Sequence, residues 1–255
     1  MAQWVSFTYK DKKNFGVKNT DTVEVYSGDM FNQPVATGEK ISVNDITLLN
    51  PCTPTKIIAL WNNYKTLAAE KGLSKPNNPL YLNKATSCIS QPGENIVRPK
   101  SYDEAIFYEG ELGIVIGRYC KDIEKNQSKD YIFGYTCIND VTGMDIVKKD
   151  PSFDQWTRSK SFDTFGIYGP YISTEIDPLN LQIESKLNGK TVQDYNTSDM
   201  FFNVYEIVSF LSKDMSLLPG DIIACGTNAG LGPMQEGDTI EVSVEGIGKL
   251  INKLV

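Results

Sequence analysis

The 255-residue chain contains no histidine. This absence excludes the HExxH metalloproteases, the Ser-His-Asp and Cys-His nucleophilic machinery, and zinc sites with histidine ligands. Any proton transfer that the chain performs must therefore use carboxylates, lysine, tyrosine, a thiol or a metal-bound water.

Long apolar runs and basic clusters are missing as well. No run of about 18 apolar residues occurs, so a transmembrane helix is not expected, and the N-terminus lacks the basic and apolar regions of a signal peptide. The formal net charge of −7 argues against a surface for nucleic acid or anionic membranes. We therefore expect a cytoplasmic protein that binds neither nucleic acid nor membranes.

Cysteine is scarce and irregularly spaced. The five cysteines are an odd number and form no CxxC pair, which fits reduced thiols better than a disulfide framework or a zinc site. We expect most of them to be small core residues. The cysteines are Cys52, Cys88, Cys120, Cys137 and Cys225.

Strand signals dominate what is present. Residues 1–50 contain three alternating segments separated by Gly- and Asn-containing turns, which indicates a small N-terminal β unit. Pro51 and Pro54 mark a junction, so we expect a second, catalytic domain over residues 51–255. Its strand-like segments do not alternate regularly with helices, which favours a strand-rich α+β fold over a Rossmann sheet.

Two segments predict helices. Residues 61–71 have helical spacing of apolar side chains, and Gly72 is placed to end that helix. Residues 197–214 give the clearest amphipathic pattern of the chain. Thr197 or Ser198 is expected to cap this second helix.

Three carboxylates are spaced for a metal site. Glu109 and Glu111 lie two apart in the apolar segment 107–117, so in a strand they share one face, where buried like charges repel. Asp140 ends a second apolar segment, 131–140. Exposed strand ends and a turn would explain these residues without a ligand. Otherwise, three oxygen ligands without histidine or cysteine suit Mg²⁺, Mn²⁺ or Ca²⁺, which would offset the repulsion.

Two further segments carry candidate binding residues. Lys160 lies among aromatic residues, where a lysine either reaches out to solvent or faces a metal site and binds an anionic substrate or carries a proton. The glycine-rich segment that contains Gly226 and Thr227 matches neither a P-loop nor GxGxxG. It is either a turn between strands or a loop whose backbone N–H groups and Thr227 hydroxyl hold a carboxylate.

Taken together and in this order, four segments resemble the fumarylacetoacetate hydrolase family over roughly residues 57–255. They are YEGELGIVIG, NDVTGMD, WTRSKSFDTFGIYGP and GDIIACGTNAGLGPMQEGD, the last continuing to the C-terminus. The resemblance implies the family's mixed β-sandwich roll, usually assembled as a homodimer. It also implies Mg²⁺ or Mn²⁺ bound by Glu109, Glu111 and Asp140.

The resemblance assigns substrate contacts too. It implies that Lys160 lies beside the substrate, and that Thr227, next to Gly226 in the glycine-rich loop, contacts the substrate carboxylate. The expected ligand is a small carboxylic acid.

The chain departs from the family pattern at three positions. Leu67 stands where the family's hydrolases usually carry the histidine of a His–Glu pair that activates water, although Glu70 remains. Met144 replaces an arginine often used for substrate anions, and Asn228 stands where proline is common. Because Leu67 cannot accept a proton, it cannot replace that histidine in activating water for hydrolysis.

The implied chemistry starts from a 2-oxo acid chelated by the cation, which stabilises the enolate. Hydrolysis additionally needs a base for water, whereas decarboxylation does not, and a tautomerisation could use Lys160 or Glu70. We therefore expect a metal-dependent isomerase or decarboxylase acting on a small 2-oxo or 2-hydroxydienoic acid, similar to 2-hydroxyhepta-2,4-diene-1,7-dioate isomerases. The alternatives are a C–C hydrolase of acylpyruvate or fumarylacetoacetate kind, with Glu70 or another carboxylate as base, and a non-catalytic binder of small acids.

Overall fold

Strands form most of the regular secondary structure of the chain. The structure is a computed structural model and describes residues 2–255. The N-terminal strands are β1 Gln3–Tyr9, β2 Lys12–Lys18, β3 Thr22–Asp29, β4 Asn32–Ser42 and β5 Thr47–Leu49. The middle strands are β6 Ile57–Trp61, β7 Leu80–Lys84, β8 Ile89–Ser90, β9 Ile106–Tyr108, β10 Gly110–Ile116, β11 Ile132–Asp140, β12 Thr142–Gly143 and β13 Gly166–Ser173. The last strands are β14 Gln182–Leu187, β15 Lys190–Asn196, β16 Ile222–Ala224, β17 Gly232–Met234, β18 Thr239–Val244 and β19 Gly248–Lys253.

Helices are short and few by comparison. The α-helices are α1 Lys65–Glu70, α2 Met144–Val147, α3 Trp156–Lys160 and α4 Val204–Asp214. Short 3₁₀ helices cover Val43–Asp45, Thr86–Cys88, Lys125–Tyr131 and Thr197–Asp199. This content confirms the predicted strand-rich α+β class. No helix within residues 2–255 is long and apolar enough to cross a membrane.

The strands form three sheets. A 12-stranded sheet has the order β4-β3-β2-β1-β13-β11-β10-β16-β6-β7, with β5 on β1 and β8 on β13. A four-stranded sheet, β15-β14-β18-β19, shares the main apolar core with β10 and β11. A three-stranded sheet, β12-β9-β17, completes the set. The site described below lies where these sheets meet.

Strand β10 lies at the centre of the large sheet. All of its residues are buried, and apart from Glu111 they are apolar residues or glycine. The strand therefore lacks the alternation of apolar and polar residues that a half-exposed strand shows. It pairs antiparallel with β11, with Gly110 opposite Asn139 and Leu112 opposite Cys137. The five cysteines are free and buried, as expected for core residues.

The N-terminal strands extend the large sheet. Strand β1 pairs with β13 through Gln3 opposite Ser173. The unit also has its own apolar cluster, which includes Val5, Phe7 and Val23. The division of the chain near residue 50 stays a prediction, because these strands have a core of their own and still continue the main sheet.

The second predicted helix begins later than expected. Residues Thr197–Asp199 form a 3₁₀ turn, and α4 begins only after Asn203, so the predicted cap at Thr197 or Ser198 is wrong. The Asn203 side chain accepts the N–H groups of Tyr205 and Glu206, each at 3.1 Å, and Glu206 accepts the N–H of Asn203 at 2.9 Å. This reciprocal pair is a capping box, which satisfies several helix-terminal donors at once.

The first predicted helix is shorter than its pattern. Strand β6 runs through Trp61, and only Lys65–Glu70 is helical. Gly72 ends this region at a φ of +66°, as predicted.

Asp221 connects the two parallel strands that lead into the site. It is fully buried and immediately precedes β16, which pairs parallel with β6. Its carboxylate accepts the backbone N–H groups of Thr55, Lys56 and Leu218 at 3.0, 3.1 and 2.8 Å. It also accepts the Thr55 hydroxyl at 2.7 Å and the Lys56 ammonium at 2.5 Å. One carboxylate therefore satisfies five donors at the start of this pairing.

We expect Asp221→Ala to lower the free energy of unfolding by about 3–5 kcal/mol, because it leaves buried donors and a lysine without their partner. The matched control is Asp154→Ala, which removes the exposed ion pair with Lys148 and should cost at most about 1 kcal/mol. Urea unfolding of both variants measures the difference. Equal losses in the two variants would contradict this role of Asp221.

Candidate active site

The register of β10 and β11 brings the three predicted carboxylates together. Glu109 lies between β9 and β10 and Glu111 lies within β10, and the N–H of Asp140 donates to the carbonyl oxygen of Glu109 at 2.9 Å. One carboxylate oxygen from each residue lies within 4.8 Å of the others. Glu111 and Asp140 are fully buried and Glu109 is 6% exposed, so this is an interior cluster and not a solvated strand end.

Gly110 separates the two glutamates because a side chain has no room there. A Cβ atom on Gly110 would lie 2.2 Å from Oγ of Ser185 on β14. The Gly110 N–H donates to Oε1 of Gln193 at 3.0 Å, and the same oxygen accepts the Ser185 hydroxyl at 2.8 Å. The four-stranded sheet therefore packs directly against the glutamate-bearing strand.

Lys160 lies at the end of α3 and contacts two of the carboxylates. Its ammonium donates to Oε2 of Glu109 at 2.9 Å, to Oδ2 of Asp140 at 2.5 Å and to the Thr142 hydroxyl at 2.7 Å. It is only 3% exposed. Lys160 therefore faces the predicted metal site and does not reach out to solvent.

A second buried lysine contacts the cluster and was not predicted from the sequence. Lys84, at the end of β7, donates to Oδ1 of Asp140 and to the carbonyl oxygen of Phe165, the latter at 3.0 Å. In β7 it shares the buried face with Leu82. A lysine in register with a buried leucine was the signal that could have identified it.

The pKa values follow from these contacts. Burial acts to raise the pKa of Asp140, but Lys160 and Lys84 hold it below its ordinary value. Burial acts to lower the pKa of Lys160, but Asp140, Glu109 and Glu111 raise it above its ordinary value. Burial first, and then the neighbouring Asp140 and Glu109, raise the pKa of Glu111 well above its ordinary value. Lys160 therefore keeps its proton, and Asp140 is ionised beside it.

Glu111 provides the test of whether these residues fit a cation. Its Oε2 accepts the N–H of Gly226 at 2.7 Å, whereas its buried Oε1 accepts no hydrogen bond within residues 2–255. A buried carboxylate oxygen without a donor is costly, and a cation would remove that cost. Glu111, Glu109 and Asp140 form an all-oxygen donor set, which fits a hard divalent cation.

The glycine-rich loop lies beside the same cluster. The Gly226 N–H donates its hydrogen bond to Oε2 of Glu111, so it is not directed at the cleft in this arrangement. The Thr227 hydroxyl donates to the carbonyl oxygen of Gly110 at 3.0 Å and accepts from Nε2 of Gln193 at 2.8 Å. Gln193 is 1% exposed and holds both the loop and the glutamate-bearing strand. Sequence reasoning did not identify it, although it shares the buried face of β15 with Tyr195.

A cleft opens onto the cluster. Glu109, Lys160 and Thr227 all line it, together with Leu67 and Met144 from the positions that depart from the family pattern. The structure therefore brings together the metal-ligand, lysine and loop positions that were predicted separately.

Glu70 does not take part in this arrangement. The residues of α1 and its C-terminal end that line the cleft are Leu67, Ala68 and Lys71, which share one helical face. Glu70 lies off that face and is exposed. The structure does not bring Glu70 to the cluster, and its role as a base stays a prediction that the cleft geometry does not support.

Asn228, where the family pattern has proline, connects the glycine-rich loop to α1. Its Oδ1 accepts the N–H of Leu67 at 3.0 Å, and its Nδ2 donates to Oδ2 of Asp199 at 3.0 Å. The same Asp199 oxygen accepts the N–H of Thr66 at 3.0 Å. These side chains satisfy N–H groups at the start of α1 that have no partner within the helix. Proline at position 228 could make neither contact.

Comparison with known proteins identifies the family. Residues 56–255 match the family described as fumarylacetoacetate (FAA) hydrolase C-terminal. The chain therefore belongs to the fumarylacetoacetate hydrolase family, a family of enzymes, as its motifs predict. Residues 2–51 match a second family, described as Rv2993c-like, N-terminal.

Individual relatives agree with this assignment. The uncharacterized protein MJ1656 of Methanocaldococcus jannaschii is 46% identical over 213 residues, 84% of this chain and 88% of its own. The solved 2-hydroxyhepta-2,4-diene-1,7-dioate isomerase of Mycobacterium marinum is 35% identical with a TM-score of 0.91, covering 100% of this chain and 98% of that one. The solved fumarylacetoacetate hydrolase of psychrophilic Exiguobacterium antarcticum is 30% identical with a TM-score of 0.85, covering 100% and 99%. These likenesses confirm the predicted family fold.

We expect Glu111→Gln to weaken Mg²⁺ and Mn²⁺ binding at least several-fold, because it removes one charged oxygen ligand from a three-carboxylate site. Calorimetric titration of chelator-stripped protein measures the affinity. Glu236→Gln, on a side chain that is 67% exposed, is the matched control and should bind like the parent. An unchanged titration of Glu111→Gln would contradict the assignment of this ligand.

We expect Asn228→Ala to loosen α1 locally, because the Leu67 N–H and Asp199 lose their partner. The local free energy of opening should fall by about 1 kcal/mol, which is roughly a fivefold faster amide exchange over Lys65–Glu70. Hydrogen exchange followed by mass spectrometry measures this rate. Asn126→Ala, at an exposed position, is the control. Equal exchange in both variants would show that Asn228 does not hold the helix.

Proposed function

We propose that the protein is a divalent-metal-dependent enzyme acting on a small 2-oxo or 2-hydroxydienoic acid, and that its reaction is an isomerisation or a decarboxylation. The observation that supports the choice of reaction is the set of ionisable side chains that line the cleft: Tyr64, Lys71, Glu109 and Lys160. None of these is placed to act as a free base towards an attacking water.

Three of these four groups are constrained in a way that disfavours this role, and the fourth, Lys71, is exposed just past the C-terminal end of α1. Glu109 accepts the Thr142 hydroxyl at 2.8 Å and the Lys160 ammonium at 2.9 Å, so both of its oxygens are engaged. Burial above all raises the pKa of Tyr64 well above its ordinary value. Lys160 keeps its proton because of the surrounding carboxylates. A reaction that needs no activated water suits this cleft better than hydrolysis.

The residues of the chain then have the following roles. Glu109, Glu111 and Asp140 hold the cation. When bound, a divalent cation supplies positive charge that stabilises negative charge developing on a substrate oxygen. Thr227 binds the substrate carboxylate once its hydroxyl turns away from the carbonyl oxygen of Gly110, its acceptor in this arrangement. In the isomerisation Lys160 delivers the Nζ proton to a substrate carbon and takes up the proton that the substrate's hydroxyl group loses, so the lysine ends the step protonated.

Carbon–carbon bond hydrolysis is the second candidate. The likeness to the Exiguobacterium fumarylacetoacetate hydrolase favours it. Against it stands Leu67, which lines the cleft on α1 and cannot take a proton from water.

A panel of 2-oxo and 2-hydroxydienoic acids, assayed with Mg²⁺ and with Mn²⁺, tests the proposal. Loss of ultraviolet absorbance follows turnover, and mass analysis sorts the products into isomerised, decarboxylated and cleaved. We expect isomerised or decarboxylated products to dominate, and turnover to stop when a chelator removes the metal. Brisk cleavage of acylpyruvates by the unmodified enzyme would overturn the preference for isomerisation or decarboxylation over hydrolysis. Turnover without metal would overturn the proposed dependence on a divalent cation.

A further inference from the structure

The walls of the cleft beyond the carboxylate cluster are almost entirely apolar. The side chains that form them come from β6, α1, α2, α3 and two loops, and they are Trp61, Leu67, Leu73, Met144, Trp156 and Leu231. Two of them form an aromatic pair, with the Trp61 and Trp156 ring centroids 5.7 Å apart. No arginine lines the cleft within residues 2–255, and Lys71 is its one cation apart from Lys160.

Lys71 is a weak candidate for holding a second anionic group. It is exposed and lies just past the C-terminal end of α1. A flexible, solvated ammonium gains little from one exposed carboxylate, and salt screens what it gains. A carboxylate held among the tryptophan, leucine and methionine side chains would lose its hydration without gaining a strong partner.

The charges at the inner end of the cleft lead to the same conclusion. When all are ionised, the three carboxylates outnumber Lys84 and Lys160 by one negative charge. A divalent cation held by Glu109, Glu111 and Asp140 turns this excess into one positive charge. One substrate carboxylate neutralises that charge, so the cluster offers no further positive charge to a second carboxylate at the far end of the substrate.

From the walls and this charge balance we propose that the substrate is a monocarboxylic 2-oxo acid, or its enol form, whose far end is apolar. The carboxylate and keto group occupy the inner end near Glu109, Lys160 and Thr227. The hydrocarbon tail packs along the Trp61–Trp156 pair and the side chains of Leu67 and Met144. This assignment of the substrate class rests on the proposed function.

Met144 is the position at which this preference can be changed. It is half-buried and begins α2, so a longer cationic side chain at that position can line the cleft without being fully buried. Met144→Arg would supply the guanidinium partner that a second carboxylate lacks. Met144→Leu keeps the wall apolar and is the matched control.

The test uses two six-carbon ligands that differ only at the far end, 2-oxohexanoate with a methyl group and 2-oxohexanedioate with a carboxylate. Calorimetric titration in the presence of Mg²⁺ gives both Kd values. Quenching of tryptophan fluorescence is an independent readout, because Trp61 and Trp156 line the cleft and the remaining tryptophan, Trp4, lies in β1.

We expect the unmodified protein to bind 2-oxohexanoate at least about tenfold more tightly than 2-oxohexanedioate. Met144→Arg should reduce this ratio by about tenfold or more, and Met144→Leu should leave it within about twofold. Equal or tighter binding of the diacid by the unmodified protein would overturn the inference while leaving the proposed function standing. Binding of neither ligand, with or without Mg²⁺, would overturn both.

Discussion

The balance of charge inside the large sheet is the constraint on which the site depends. Three carboxylates with oxygens within 4.8 Å of one another would repel strongly in a buried position. Lys160 and Lys84 contact Asp140 from two sides, and Lys160 also contacts Glu109. Within residues 2–255 no lysine forms an ion pair with Glu111, and the unsatisfied oxygen of Glu111 is the feature that most directly indicates a bound cation.

Separate parts of the chain converge to make this balance. The pairing of β10 with β11 sets Asp140 against Glu109, while β7 and α3 supply the two lysines. The four-stranded sheet supports this cluster, because Gln193 on β15 accepts a hydrogen bond from the Gly110 N–H and donates one to the Thr227 hydroxyl. Strand β10 and the glycine-rich loop are therefore positioned by one buried amide.

The departures from the family pattern have a common consequence. Leu67 and Met144 replace side chains that could move a proton or bind an anion, and both line the cleft. Asn228 keeps α1 in place by bonding to the Leu67 N–H, so the apolar face of that helix stays against the cleft. The cleft therefore has a charged inner end at the carboxylate cluster and mostly apolar walls beyond it. This character of the cleft is the basis for the reaction that we propose, which acts on a singly charged acid without an activated water.

The spacing of Glu109 and Glu111 was enough to predict that their carboxylates lie together, because that pattern is local, although Glu109 falls just before β10 and not within a strand. The ordered motifs were enough to predict the family. The sequence did not identify Lys84 or Gln193, it misplaced the start of α4, and it kept Glu70 as a candidate base. The positions of these residues relative to the site, and the start of α4, follow only from the tertiary structure. Periodicity states which face of its own element a side chain occupies, but the groups opposite that face depend on strand register and on packing between residues distant in sequence. Strands β10, β16 and β6 lie between β11 and β7 in the order of the large sheet, so the contact between Asp140 and Lys84 depends on the three-dimensional course of the sheet and not on pairing of their two strands.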